Sequence, residues 1–156
     1  RLKDFQVVMG MRERTGFPRT LLERLPELRL LITTGGRNAG FDEAAASELG
    51  IVLCGTTGAG EGPTATMGQS LRLHYRGTLP DGREFDSSYD GEPVVFSVGQ
   101  LVPGFNEALM LMSAGSHYRV VIPGDLAYGP QRRSELIGPN QTLVFEIEVL
   151  ELVDGN

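Results

Sequence analysis

The spacing of apolar positions changes partway along the chain. Gln6 to Gly10 (QVVMG), Leu28 to Thr33 (LRLLIT) and Ile51 to Cys54 are short apolar runs of strand length. Between the first two, Leu21, Leu22 and Leu25 recur at helical spacing after Phe17-Pro18, with Pro18 suited to a first turn and Pro26 to a stop. Asp42 or Glu43 opens a second helical stretch through Ala44-Ala45-Ala46, which Gly50 ends. The order predicts a β-α-β-α-β unit with parallel strands.

Gly55 to Gly62 (GTTGAGEG) predicts a turn-rich junction. Beyond it the period falls to two: Leu71, Leu73 and Tyr75 alternate with Arg72, His74 and Arg76. Pro80-Asp81-Gly82 is a turn, and Glu84 to Ser88 and Val94 to Val98 are further strands. Pro103 opens a short helix that buries Phe105, Ala108, Leu109 and Met112 on one face. Tyr118 to Ile122 and Thr142 to Leu152 complete the strands, the latter with Leu143, Phe145, Ile147 and Val149 on one face and Glu146 and Glu148 on the other. Many strands and one helix predict an antiparallel α+β domain after residue 56.

Charge divides the 156 residues near the same place. Residues 1–56 carry eight Lys and Arg against seven Asp and Glu, whereas 57–156 carry six against thirteen, for a chain total of −6. The acidic second part argues against nucleic acid or an anionic membrane as partner. Apolar runs are far shorter than the roughly 18 residues of a membrane span. Arg1 to Asp4 lead into no apolar signal core with a small-residue cleavage site, and the missing starting Met fits a processed, truncated or built chain. Cys54, the only cysteine, allows neither an intramolecular disulfide nor a zinc cluster.

His74-Tyr75-Arg76-Gly77 followed by Asp81-Gly82-Arg83-Glu84-Phe85-Asp86-Ser87-Ser88 resembles the FKBP-type peptidyl-prolyl isomerases, in a spelling close to the macrophage-infectivity-potentiator branch. Val102-Pro103-Gly104-Phe105, Leu126-Ala127-Tyr128-Gly129 and Ile137-Gly138-Pro139-Asn140 before Thr142 to Glu146 continue the match in order over about 57–153. The resemblance implies a half-open antiparallel sheet across one short helix, with an apolar pocket between them. It implies catalysis without cofactor or metal, on proline-containing peptides or unfolded segments, and a site for macrolide immunosuppressant-type ligands. Carried over by position, Asp86, Tyr128 and the backbone N–H of Val102 are the catalytic groups. Tyr75, Phe85, Val94, Phe96, Leu101, Phe105, Ile137 and Phe145 line the pocket. Phe105 stands where the family usually has tryptophan, Val94 where it often has an aromatic, and Gln131 to Glu135 where it has a glycine-rich flap. Plainer readings stand beside these: Phe85, Phe96 and Phe145 as core, Asp86 as a turn residue, and His74 and His117 as surface hydrogen-bonders.

Residues 4–56 resemble the start of the D-isomer-specific 2-hydroxyacid dehydrogenases. The carrying residues are Met11 to Thr15, Phe17-Pro18, Leu28 to Gly35, Arg37-Asn38-Ala39 and Ile51 to Thr56. This implies a flavodoxin-like fragment, and a hybrid of two families, natural or engineered. NAD binding is not expected, because Pro63 replaces the third glycine of GxGxxG and no βαβ unit follows. Two expectations follow for the seam: Ile51 to Cys54 serves the isomerase sheet, and the preceding segment packs on that domain or pairs two chains into a dimer. The alternatives to an isomerase are a non-catalytic module holding proline segments and a recombined chain with little activity. The cytoplasm is the expected compartment, with a periplasmic one open.

Overall fold

One long strand joins the two halves of the chain. In the computed structural model, which describes residues 6–10, 16–34 and 40–153, the first strands are β1 (Val7–Gly10), β2 (Leu30–Thr34) and β3 (Val52–Glu61). Between them lie α1 (Arg19–Leu22) and α2 (Glu43–Glu48). There follow β4 (Ser70–Thr78), β5 (Glu84–Ser87), β6 (Val94–Ser97), α3 (Pro103–Leu109), β7 (Ala114–Ile122) and β8 (Leu143–Val153). All eight strands belong to one sheet, ordered β1-β2-β3-β7-β8-β4-β5, with β6 also on β4. β1, β2 and β3 are parallel, whereas β3 with β7, and every pair beyond it, is antiparallel.

Two sequence expectations change here. The flavodoxin-like order places the first strand between the second and third. Here the three strands lie in chain order, each helical crossover returning to the adjacent position, as consecutive elements commonly do. The junction expected at Gly55 to Gly62 is instead mostly strand, because β3 continues to Glu61 along β7. A register shift between Thr56 and Gly58 marks a bulge, which such glycines accommodate. Gly60, at φ +65°, has no room for a side chain, since a Cβ would stand 2.6 Å from the Ala114 carbonyl oxygen. The division at residue 56 therefore falls inside a strand. Met11 to Thr15 and Arg37-Asn38-Ala39, which carried part of the dehydrogenase resemblance, lie outside the described residues.

The pleat sorts side chains into two cores. On one face Leu30, Ile32, Val52, Cys54, Val120, Ile122, Leu143 and Phe145 pack with Phe105, Ala108 and Leu109 of α3. On the other, Leu31, Leu53, Val121 and Val144 pack with Phe17, Leu22, Phe41, Ala45 and Ala46 from α1, α2 and their loops. The Asp42 side chain accepts the Ala45 N–H at 2.9 Å and caps α2. Polar contacts tie this cover to the sheet: Arg119 reaches both oxygens of Glu43 at 3.2 and 3.4 Å, and the Ser47 and Thr142 hydroxyls bond to one another.

Cys54 is buried, and burial pushes its thiol up to about 12, with the Glu107 carboxylate adding to the effect. It is expected to resist a thiol reagent at pH 8 until the protein is unfolded. Leu31 is fully buried between the sheet and its helical cover. Leu31→Ala is expected to cost about 2–5 kcal/mol. In urea, far-UV dichroism and tyrosine fluorescence should shift together for this variant. A separate early transition of the N-terminal part would show instead that the two cores are not one cooperative unit.

Candidate functional site

The site begins as a cluster of rings over α3. Phe105, on the first turn of α3, and Phe145, on β8, are almost fully buried and meet edge to face at 4.8 Å between centroids. Phe85 of β5 meets Phe145 edge to face at 5.6 Å, and Phe96 of β6 meets Phe105 at 6.1 Å. Tyr75 of β4 lies 5.5 Å from Phe96. Edge-to-face contacts of this kind add to the stabilisation from burial alone. Gly77 lets the rings come this close to β4, because a Cβ there would stand 2.6 Å from the Phe85 ring and 3.0 Å from that of Phe145.

These five rings, with Leu101, Val102, Asp86 and Tyr128, enclose an open-mouthed cavity of about 90 Å³. Tyr75 donates its hydroxyl to Asp86 Oδ2 at 2.5 Å. Burial first, and then this bond, raise the Tyr75 hydroxyl above its ordinary value, so it remains a donor at neutral pH. Tyr75 is held through its main chain as well: its N–H donates to Ser88 Oγ at 2.9 Å and its carbonyl accepts from the Ser88 N–H at 3.0 Å. Tyr128 stands exposed at the rim. Val102 is the residue preceding α3, in an extended conformation, and its carbonyl accepts from the N–H groups of Phe105 and Asn106.

Two of the residues assigned by position, Val94 and Ile137, are not among those that line this cavity, though they pack in the same core as its rings. Val94 shares a face of β6 with Phe96 but sits two residues further along, opposite Leu73, and packs into the main core. Ile137 is buried in that core as the anchor of the 131–137 loop: its N–H donates to Ser134 Oγ and its carbonyl accepts from the Arg133 N–H. His74 is a surface hydrogen-bonder, with Nδ1 3.0 Å from Ser88 Oγ and its ring stacked on Tyr89.

Sequence reasoning passed over Asn106. Its side chain accepts the Gly99 N–H at 2.8 Å and donates to the Leu101 carbonyl at 2.7 Å, fixing the loop that presents Leu101 and Val102. The available signal was an asparagine inside a short helix, where its side chain does better bonding outside the helix. A larger cleft of about 420 Å³ lies between α2, β7 and β8. Its charged and hydroxyl groups are paired, Glu43 with Arg119, Glu48 with Arg19 and Ser47 with Thr142.

Comparison with known proteins gives the same part of the chain a family. The pattern of FKBP-type peptidyl-prolyl cis-trans isomerases matches residues 62–150. The outer membrane protein MIP of Legionella longbeachae is 45% identical over 95 residues, covering 60% of this chain and 41% of that protein. FK506-binding protein 1 of Kluyveromyces lactis is 44% identical over 88 residues, covering 54% of this chain and 77% of that protein. A crystal structure of a peptidyl-prolyl cis-trans isomerase from Pseudomonas syringae aligns at a TM-score of 0.62 and 36% identity, over 66% of this chain and 76% of that one. This chain spans less than half the length of several of its bacterial relatives. The family match starts at residue 62, so it lends nothing to the dehydrogenase resemblance of residues 4–56.

The tight fit at Gly77 makes it a sensitive position. Gly77→Ala is expected to lower stability by about 1–3 kcal/mol in urea denaturation through overpacking. It should also shift the Phe85 and Phe145 ring resonances. An unperturbed spectrum would show that the rings do not depend on this glycine.

Proposed function

The chain belongs to the family of FKBP-type peptidyl-prolyl cis-trans isomerases, and from that premise we propose that it catalyses rotation about X-Pro bonds seated in the aromatic cavity. The observation that carries this reading is the small ring-lined cavity with Asp86 and Tyr128 at its edge. At about 90 Å³ it is far below the roughly 300–1,000 Å³ of drug-sized ligand sites. It suits one ring, such as that of proline.

Rotation makes and breaks no covalent bond. The barrier, about 18–20 kcal/mol for peptide bonds in general, is the loss of amide resonance in the twisted state. That state has a less polar carbonyl and a nitrogen whose lone pair is no longer shared. A water-poor aromatic wall disfavours the charge-separated planar amide relative to the twisted one, and so lowers the barrier. Phe105, Phe145 and Phe96 grip the ring in this reading. The Tyr128 hydroxyl and the Val102 N–H hold flanking carbonyls. The Tyr75–Asp86 pair fixes one wall. Substrates are proline-containing peptides and unfolded segments. A macrolide would seat one ring in the cavity and lie across the rim.

Residues 57–156 are the isomerase unit in this reading, and 1–56 an appendage without activity of its own, whose α1 and α2 cover the outer face of the sheet. β1, at one end of the sheet order, is where a second chain would pair. No helix among the described residues is long and apolar enough to cross a membrane.

The test is catalysed isomerisation of a short Ala-Leu-Pro-Phe-type peptide, followed by exchange NMR. The protein should accelerate it. Tyr128→Phe should lower kcat/KM by about two- to tenfold, the value of one lost hydrogen bond. Asp86→Ala should lower it further by releasing the Tyr75 wall. A folded protein that binds the peptide without accelerating it would favour a holding module instead.

A further inference from the structure

The arginines of the acidic C-terminal part fall into two groups. Arg72, Arg76, Arg83 and Arg119 each lie beside a carboxylate: Glu151 at 2.9 Å, Glu84 at 2.6 Å, Asp81 at 2.9 Å and Glu43 at 3.2 Å. Arg132 and Arg133 make no ion pair among the described residues. They are consecutive and exposed, and they lie in the loop between Tyr128 and Ile137. In a part of the chain with thirteen acids against six bases, the two arginines left over are thus consecutive, and Arg133 stands beside Tyr128 at the rim of the aromatic cavity.

Their placement is specific. The Arg133 guanidinium carbon lies 5.4 Å from the centre of the Tyr128 ring, the ring that forms the cavity rim. Its main-chain N–H is tied to the Ile137 carbonyl at 3.0 Å, which anchors the base of the side chain to a buried residue. A guanidinium stacked on a ring loses little freedom and keeps its edge N–H groups available to a carboxylate. Arg132 folds back weakly on its own loop, with Nη1 3.5 Å from both the Ser134 and Glu135 carbonyls. Asp86, the carboxylate of the cavity wall, already accepts the Tyr75 hydroxyl, while the loop on the Tyr128 side carries Arg132 and Arg133 with one acid, Glu135.

Resting on the isomerase reading above, we propose that Arg133, with Arg132 beside it, selects proline segments that carry an acidic residue next to the proline. With the proline ring in the cavity, the neighbouring side chain projects over the rim. A Glu or Asp there pairs with the stacked guanidinium, and a Lys is repelled. The gain is that of an exposed ion pair, small and sensitive to salt.

The test uses the full chain and three peptides that differ only in Glu, Gln or Lys, placed before the proline in one series and after it in another. Binding is read by NMR titration and turnover by exchange NMR. At low ionic strength the Glu peptide of at least one series should bind on the order of fivefold more tightly than its Lys counterpart. The ratio should shrink in high salt, fall close to one in the R132Q/R133Q variant, and survive in part in R133K. Equal binding of all three peptides in both series, or a preference that persists in R132Q/R133Q, overturns the proposal. Binding and turnover separate the two readings. A Glu preference without turnover of any peptide rejects the isomerase and keeps the charge selection. Turnover without preference does the reverse.

Discussion

The ladder between β3 and β7 is the constraint on which the rest of this molecule depends. β3 has β2 parallel on one side and β7 antiparallel on the other, in a single strand from Val52 to Glu61. Three parallel strands with two short helices would by themselves leave an open edge and an uncovered apolar face. Here the edge is filled by β7, and the exposed face of Leu30, Ile32 and Val52 becomes part of the core that holds α3. The debt runs both ways. Val121 and Val144 point away from α3, and the N-terminal helices bury them.

The aromatic cavity is built from the far side of the same sheet. β7 and β8 set the plane, β4 and β5 bring Tyr75, Asp86 and Phe85, and α3 closes the floor with Phe105. None of the residues around the cavity comes from the N-terminal part. The cover therefore supports the site through the rigidity of the shared strands and not through contact. Charge follows the same division: the seam has an ion pair between Glu43 and Arg119, and Arg133 beside the rim makes none among the described residues.

Much of this was legible in the sequence, and the misses have physical causes. The alternation in 71–76 and 143–149 gave the strands and the face that carries Tyr75 and Phe145. Leu143-Val144-Phe145 and Val120-Val121-Ile122 are unbroken apolar runs, the mark of a strand buried on both faces. Reading only the alternate positions of β8 hid Val144. The glycines of 55–62 suggested turns, but glycine also serves a bulge or a close approach of backbones, and only the partner strand tells these apart. The contact of Arg133 with Tyr128 spans a loop whose path has no periodicity to read.

The continuity of the sheet also sets an order on how the chain is made. Residues 6–54 are synthesised before β7, so β3 finds its partner only when Val121 arrives opposite Leu53. The second face is sealed later still, when Val144 arrives. Until then β3 has an unpaired edge, and Leu31 and Leu53 lack the cover they share with Val121 and Val144. Long-range pairing of this kind is slow to form. β8, the last of the described strands in chain order, is thus the one that completes both cores, so the cover of the N-terminal strands waits on a segment some ninety residues further along the chain.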